Sequence, residues 1–256
     1  MSAAPLLHVE GLVKRFGGLV ATDHAELRVM PGELHALIGP NGAGKTTLIH
    51  QLSGALAPDA GRIVFGGEDV TRSSMPRRVL RGLARSYQIT SVFRRLSVRD
   101  NLALAVQARQ GSSLRFWRPA RAETARYAEA DAVAARVGLA GRERAIAGAL
   151  AHGEQRQLEV GLALATSPRL LLLDEPMAGM GPDESERMLA LLESLRGTTT
   201  MLLVEHDMDA VFRLADRISV LVSGRVIAEG APAHIRAHPA VRRAYLGDAS
   251  PAEAVS

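Results

Sequence analysis

A glycine-rich stretch that ends in lysine and threonine carries the clearest chemical signal in the chain. It consists of Gly39, Pro40, Asn41, Gly42, Ala43, Gly44, Lys45, Thr46 and Thr47, and it matches the pattern G-x-x-x-x-G-K-[ST]. Glycines let backbone N–H groups approach a phosphate without a Cβ in the way, and the following helix N-terminus adds partial positive charge. Lys45 would then reach the β- and γ-phosphates, and the Thr46 hydroxyl would bind Mg²⁺. This phosphate loop predicts a magnesium nucleoside triphosphate site.

Acidic residues follow a run of four leucines at positions 170–173. The leucines predict a strand buried on both faces of a parallel sheet, and open α/β sheets bind ligands at the carboxyl ends of such strands. Asp174 would bind Mg²⁺, directly or through water. Glu175 would orient the water that attacks the γ-phosphate and act as its general base. An Asp-Glu pair at a strand end is often structural, but the phosphate loop in the same chain favours the catalytic interpretation.

Further candidates rest on position alone. His206 follows a predicted strand and would contact the γ-phosphate, although a lone histidine is more often structural. Gln88 is the last residue of another predicted strand and would reach the metal or a water, although a single glutamine more often lies on the surface. Phe16 ends the first strand, where stacking on an adenine ring and packing in the core are equally open interpretations.

The elements around these residues alternate between strand and helix. Strands are predicted over residues 6–16, 19–29, 34–38, 62–65, 85–88, 170–173, 200–204, 217–222 and 225–228. Helices are predicted over residues 45–52, 76–84, 97–109, 121–137, after 150–155 to about 165, 183–196 with Asp183 as cap, and 239–246. Residues 93–149 lack the strand–helix alternation and are predicted to form an inserted helical subdomain.

Composition excludes several classes of function. The 256 residues, 47% of them hydrophobic, suffice for one large core with an embedded subdomain. The chain has no cysteine, so disulfides, thiolate chemistry and cysteine zinc sites are excluded. No apolar run approaches the ~20 residues of a membrane helix, so the chain is predicted not to span a membrane. The net charge of +4 could favour nucleic acid or an anionic membrane surface, although an excess of this size is more often a solvated surface. The 4% aromatic content argues against a stacking platform for single strands.

Taken in order, these residues resemble the ATP-binding subunits of ABC transporters. The matching elements are Phe16, the phosphate loop, Gln88, residues 150–155, residues 170–175 and His206. The resemblance implies an ATP-hydrolysing domain over residues 6–248 with an α/β, RecA-like P-loop NTPase core and an antiparallel β subdomain, over about 6–92 and 150–230. It further implies the helical subdomain at 93–149, a C-terminal helical extension at 231–248 and a polar tail at 249–256.

The resemblance also implies a head-to-tail dimer that holds ATP between two protomers. Residues 150–155, the signature loop, would then bind the partner's γ-phosphate through Ala151, Gly153 and Glu154. The family usually has Leu-Ser-Gly-Gly-Gln there, whereas this chain has Leu-Ala-His-Gly-Glu-Gln, so the serine hydroxyl is missing. We expect backbone donors to replace it, and a different ATPase subunit to be the partner. Residues 179–182 would cross the dimer seam, and residues 89–98 with the helical subdomain would receive permease helices.

Within the family, residues 150–159, 204–208 and 241–248 resemble the ATPases of branched-chain amino-acid uptake systems. The implied assembly has two ATPases, two membrane permeases and, indirectly, a periplasmic binding protein, with this chain peripheral on the cytoplasmic face of the inner membrane. ATP and Mg²⁺ are the implied ligands, and nucleic acid is not an expected partner.

Other interpretations within and beyond transport remain open. The solute could instead be an amide or urea, and lipopolysaccharide-export ATPases share the C-terminal Tyr-Leu-Gly but usually keep the signature serine. A nucleic-acid-acting ABC-type ATPase typically has two nucleotide domains, coiled-coil insertions or zinc cysteines. A scaffold that binds without hydrolysis is disfavoured by Asp174, Glu175 and His206.

Overall fold

The computed structural model describes residues 4–86, 92–109 and 120–246. The described residues form two compact units. Of these, the first unit combines residues 4–73 with residues 202–246, and the second unit takes the described residues between 74 and 201. The architecture is α/β, with two sheets, as predicted.

Strands and helices alternate along most of the described chain. The strands are β1 (Leu7–Phe16), β2 (Leu19–Val29), β3 (Leu34–Ile38), β4 (Ala60–Phe65), β5 (Glu68–Asp69), β6 (Leu83–Arg85), β7 (Leu170–Asp174), β8 (Thr200–Val204), β9 (Arg217–Val222) and β10 (Arg225–Gly230). The helices are α1 (Lys45–Ser53), α2 (Met75–Leu80), α3 (Val98–Arg109), α4 (Ala120–Arg136), α5 (His152–Ala165), α6 (Pro182–Leu195), α7 (Met208–Leu214), α8 (Pro232–Ala237) and α9 (Pro239–Leu246).

The first unit contains an antiparallel sheet of order β2-β1-β4-β5. Strands β1 and β2 pair from Leu7↔Val29 to Phe16↔Leu19, as their alternating sequences predict. Asp59 anchors the end of β1, because its carboxylate accepts hydrogen bonds of 2.7 Å from Lys14 Nζ and from the Arg15 amide. These hydrogen bonds lower the pKa of Asp59. The anchored sheet places Phe16 at the end of β1.

The phosphate-loop strand β3 lies in the other sheet. In the first unit the strand order there is β10-β9-β3-β8, and β3 pairs with β9 in parallel. Every residue of β3 is buried, including His35. His35 Nδ1 lies 2.9 Å from Glu33 Oε1 and its Nε2 lies 2.8 Å from Ser219 Oγ, so the buried imidazole is fully hydrogen-bonded. The strand is thereby fixed between its neighbours and delivers the phosphate loop at its carboxyl end.

The second unit contains a parallel strand pair and a group of helices. Strands β6 and β7 pair from Leu83↔Leu170 to Arg85↔Leu172. Helix α3 packs against α4 and α5 through buried side chains that include Leu102 and Val106. This packing positions the N-terminus of α5, where the signature loop lies.

Several predicted boundaries are wrong, and some short elements were not predicted. The strand predicted over residues 85–88 begins at Leu83 and ends at Arg85, and the helix predicted to follow residues 150–155 begins at His152. The helix predicted over residues 76–84 ends at Leu80, because Gly82 adopts a φ of +94° and strand β6 begins at Leu83. Asp183 does not cap α6, since Gly181 is the N-cap and Pro182 is the first helical residue. Strand β5 and helix α7 were not predicted, and α8 was expected only as part of the C-terminal helical extension at 231–248 that the resemblance implies. The predicted limits of the helical subdomain and of the tail stay predictions.

Candidate active site

The phosphate loop joins β3 to α1 in the first unit, and two of its glycines have no room for a side chain. A Cβ on Gly39 would overlap the carbonyl oxygen of Leu221, and a Cβ on Gly44 would overlap that of Ala21. Gly44 also has a φ of +103°, in the region that favours glycine. The loop backbone is therefore packed directly against two other backbone segments, which fix its conformation.

Lys45 is buried inside the loop that it follows. Its Nζ donates hydrogen bonds to the carbonyl oxygens of Gly39, at 2.6 Å, and Pro40, at 3.1 Å. These hydrogen bonds hold the ammonium, and so its positive charge, against the backbone of the phosphate loop. Thr46, next along α1, is exposed. No side chain caps the N-terminus of α1, which leaves the positive end of this helix available to an anion.

The β9–β10 turn supports the phosphate loop through backbone hydrogen bonds, a contact that was not predicted from the sequence. The Gly224 amide donates to the Ala43 carbonyl at 2.9 Å, and the Gly224 carbonyl accepts from the Asp23 amide at 2.9 Å. A Cβ on Gly224 would come within 2.9 Å of that Asp23 nitrogen. In the sequence, the Ser-Gly pair indicates a turn but not its contact with the phosphate loop, because the contacting residues lie far apart in the chain.

The aromatic and histidine candidates of the first unit are both accessible. Phe16 is 50% exposed, so it is not a core residue, and Lys14 Nζ lies 5.7 Å from its ring centroid. The His206 side chain is 64% exposed. Its backbone amide donates to Glu205 Oε2 at 3.1 Å, and Asp207 caps α7 by accepting from the amides of Asp209 and Ala210. His206 is therefore presented on a fixed backbone, with its ring open to a ligand.

Asp174 ends β7 in the second unit and forms a buried ion pair. Its Oδ2 accepts a hydrogen bond of 2.7 Å from Arg85 Nη2, and the two side chains are only 4% and 7% exposed. Sequence reasoning missed Arg85, because nothing in its neighbourhood identifies a partner 89 residues away. Glu175 follows with a φ of +49°, which is unusual for a non-glycine residue and is typical of functional sites.

The signature loop begins α5, and carboxylates already bind its amides. The Gly153 amide donates to Glu184 Oε1 at 2.9 Å, and the Ala151 amide donates to Glu154 Oε2 at 3.0 Å. Because Ala151 has no hydroxyl, only this half of a capping box forms. Glu154 also pairs with Arg142, at 3.0 Å. The hydrogen bond from Gly153, and secondarily that from the Gly181 amide, lowers the pKa of Glu184.

The oxygen donors among the candidates fit Mg²⁺. The Thr46 hydroxyl and the Asp174 carboxylate are hard oxygen ligands. Within residues 4–86, 92–109 and 120–246, no three His, Asp or Glu side chains cluster into a metal cage. Mg²⁺ keeps waters and substrate phosphates as ligands rather than requiring such a cage, so this sparse donor set suits it.

The candidates divide between the two units. The first unit holds Phe16, the phosphate loop and His206, and the second holds Asp174, Glu175 and the signature loop. Gln88 lies outside the described residues, as does part of the predicted permease-binding segment 89–98. Loop amides and an ammonium can neutralise phosphates in the first unit, and carboxylates can serve a metal and a water in the second.

Comparison with protein families identifies the class. The model of the ABC transporter family matches residues 22–178, and that of the branched-chain amino acid ATP-binding cassette transporter matches residues 225–250. The chain belongs to the ABC transporter family, as one of its ATP-binding, ATP-hydrolysing subunits.

Individual proteins are similar over nearly the whole chain. The high-affinity branched-chain amino acid transport ATP-binding protein LivG of Escherichia coli (strain K12) is 39% identical over 253 residues, which cover 96% of this chain and 99% of LivG. The similarly named BraF of Pseudomonas aeruginosa is 37% identical over 252 residues, with the same coverage.

Solved structures of ATP-binding cassettes share the fold. The ADP conformation of MJ1267, an ATP-binding cassette of an ABC transporter, has a TM-score of 0.83 and 27% identity, and covers 96% of this chain and 100% of that one. A nucleotide-free cassette has a TM-score of 0.82 and 27% identity, with coverage of 95% and 100%. None of the helices in the described part of this chain has the length and hydropathy to cross a membrane.

Proposed function

We propose that this chain powers an importer of branched-chain amino acids by binding and hydrolysing ATP. The observation that carries the solute class is the match of residues 225–250 to the branched-chain amino acid transporter model, which lies outside the ATPase match at 22–178. Two relatives whose names state this transport, LivG and BraF, support it over nearly their full lengths.

In the proposed mechanism the phosphate loop binds and orients the triphosphate. Its amides and the Lys45 ammonium neutralise charge that develops on the phosphates, and Phe16 stacks on the adenine. Glu175 orients the attacking water and accepts its proton, while His206 contacts the γ-phosphate. The unusual backbone conformation of Glu175 supports this assignment, since such conformations cluster at active sites.

Thr46 and Asp174 would hold Mg²⁺, together with Gln88, directly or through water. When bound, the metal neutralises phosphate charge and helps to align the γ-phosphate. Arg85 fixes one oxygen of Asp174, so the other oxygen, Oδ1, remains for the metal or its water.

The proposed assembly is a head-to-tail dimer in which the signature loop binds the partner's nucleotide. Gly153 offers its amide to the γ-phosphate, and Ala151 and Glu154 flank it. The carboxylates that bind the Gly153 and Ala151 amides support this, because they demonstrate that these amides suit anionic oxygen. We propose a second, different ATPase subunit as the partner, two membrane permeases, and a peripheral position on the cytoplasmic face of the inner membrane. A periplasmic binding protein would act indirectly, through the permeases.

Reconstitution tests the proposal. The chain is combined in lipid with its partner ATPase and permeases, and ATP hydrolysis is measured with the binding protein and leucine, isoleucine or valine. We expect these amino acids to stimulate hydrolysis, and Glu175→Gln to abolish turnover while ATP binding is retained. Stimulation only by an amide, urea, lipopolysaccharide or nucleic acid would contradict the assigned solute, and turnover by Glu175→Gln would contradict the base.

A further inference from the structure

The amide assigned to the partner's γ-phosphate is already occupied within the chain. Glu184 lies 31 residues after Gly153, in the first turn of α6, and its Oε1 accepts the Gly153 N–H at 2.9 Å. Its other oxygen, Oε2, accepts the Gly181 N–H at 3.4 Å. One carboxylate thus joins the start of the signature helix α5 to the start of α6.

The contact depends on glycine at position 153. A Cβ there would lie 2.9 Å from the Glu184 carboxyl carbon and 3.0 Å from its Cγ. The carboxylate therefore packs directly on the glycine backbone. The Gly153 hydrogen bond lowers the pKa of Glu184, with a smaller effect from Gly181, so the side chain is ionised near neutral pH and is a strong acceptor.

We propose that Glu184 is a positioning residue that holds the Gly153 amide in the open protomer and is replaced there by an oxygen of the partner's γ-phosphate on closure. The inference rests on the proposed assignment of Gly153 to the partner nucleotide. A backbone N–H serves one strong acceptor well, and two anionic acceptors at one amide repel each other. Closure must therefore displace the carboxylate.

Displacement of the Glu184 carboxylate would also affect residues 179–182, the segment that was predicted to cross the dimer seam. Gly181 belongs to this segment, and its amide donates to Glu184. When the carboxylate leaves Gly153, it can shorten its hydrogen bond to the amide of Gly181, the N-cap residue of α6, or it can leave both amides. Arrival of a γ-phosphate at the signature loop is thereby coupled to the conformation of residues 179–182 within the same protomer.

The exchange predicts that removing the carboxylate makes closure easier. Full-length protein is assembled with its partner subunit and permeases in the Glu175→Gln background, which stops hydrolysis, and Mg·ATP is titrated while a distance reporter follows closure. A hydrogen bond to a charged group corresponds to roughly tenfold in an equilibrium, so Glu184→Ala is expected to lower the ATP concentration for half-closure by up to about tenfold. Glu184→Gln, which keeps a neutral acceptor, is expected to lower it less.

Asp183→Asn is the matched control, since it removes one charge from the same turn of α6 without touching Gly153. We expect it to leave the ATP requirement for closure as in the parent protein. Thermal unfolding checks that each variant is folded. If Glu184→Ala does not fold, Glu184→Gln decides, because its side chain retains the geometry of the cap.

An unchanged or raised ATP requirement in folded Glu184→Gln would overturn the inference. ATP binding to the separate protomer, measured below the concentration at which dimers form, is expected to be equal in all variants. Absence of that binding would contradict the proposed function itself. Normal binding with unaltered closure would contradict the role of Glu184 alone.

Discussion

Gly44 and Gly42 differ in what surrounds them, although both lie in the phosphate loop. A Cβ on Gly44 would overlap the Ala21 carbonyl, whereas nothing lies within 4 Å of a Cβ on Gly42. Both have positive φ, of +103° and +78°. The Gly42→Ala variant therefore suffers only the backbone strain of a positive φ. The Gly44→Ala variant suffers that strain and also a steric clash with the Ala21 carbonyl.

We therefore expect Gly44→Ala to lose ATP affinity by more than about tenfold, and Gly42→Ala to lose roughly 1 kcal/mol of unfolding free energy with smaller effects on binding. Titration with a fluorescent nucleotide and chemical denaturation measure these quantities. Equal ATP affinity in the two variants would mean that the Ala21 contact does not shape the loop.

The buried pair between Arg85 and Asp174 gives a second prediction for single residues. Arg85→Met leaves a buried carboxylate without its countercharge, which typically costs about 3–5 kcal/mol of unfolding free energy. Adding Asp174→Leu is expected to recover most of that loss, because the uncompensated charge is then gone. Urea unfolding of the single and double variants measures the difference, and a double variant as unstable as the single one would contradict it.

Arg99 supplies the control for this pair. It also pairs with a carboxylate, that of Asp131, but the side chains are 37% and 33% exposed. Exposed pairs contribute about 0–1 kcal/mol, so Arg99→Met is expected to cost much less than Arg85→Met.

At the residue scale, the sequence predicted those functional groups that lie next to one another in the chain and form a recognisable motif. The phosphate loop and the Asp174-Glu175 pair belong to that kind, because the residue types and their spacing are local. Arg85, Glu184 and Gly224 could not be found in this way. Each acts through a contact with a residue distant in the chain, which only folding brings within hydrogen-bond distance.

At the element scale, hydrophobic patterns predicted the long strands and helices well. Strands β1 and β3 and helix α9 differ from their predicted bounds by one residue or none. The errors occur where a single backbone conformation outweighs helix propensity, as at Gly82 between α2 and β6. Helices α7 and α8 have seven and six residues, too few for a periodic pattern to stand out.

The β4–β5 hairpin is expected to contribute to stability in a pH-dependent way. The Thr71 hydroxyl and amide, and then Arg62, lower the pKa of Asp69 from 3.8 to about 2. Since the folded pKa lies below the unfolded value, the stabilisation is present above pH 3.8 and is lost as the pH falls towards about 2.

Asp69→Asn removes this titration. Urea midpoints measured from pH 5 down to about 2 are expected to fall less steeply for the variant than for the parent protein. Identical slopes for parent and Asp69→Asn would contradict the assignment.

At the scale of the whole molecule, function is expected to depend on association. If the signature loop of one protomer completes the nucleotide site of another, the rate per protomer should rise with protein concentration, because separate protomers lack half of each site. ATPase assays of an equimolar mixture of this chain and its partner subunit, over a wide concentration range, measure this. Glu175→Gln protein added in excess should inhibit by forming mixed dimers, and a rate strictly proportional to concentration would contradict the shared site.

The bond between Gly224 and Ala43 has a practical consequence for anyone who attaches a reporter to this protein. The β9–β10 turn looks like a harmless surface connection, yet extra residues there would pull on the backbone beneath the triphosphate. Gly197, between α6 and β8, has nothing within 4 Å of an added Cβ. A label at Gly197 costs backbone strain, because its φ is +72°, but it does not touch the phosphate loop. A label at the β9–β10 turn would lower ATP affinity, and that loss would be mistaken for a defect in the active site.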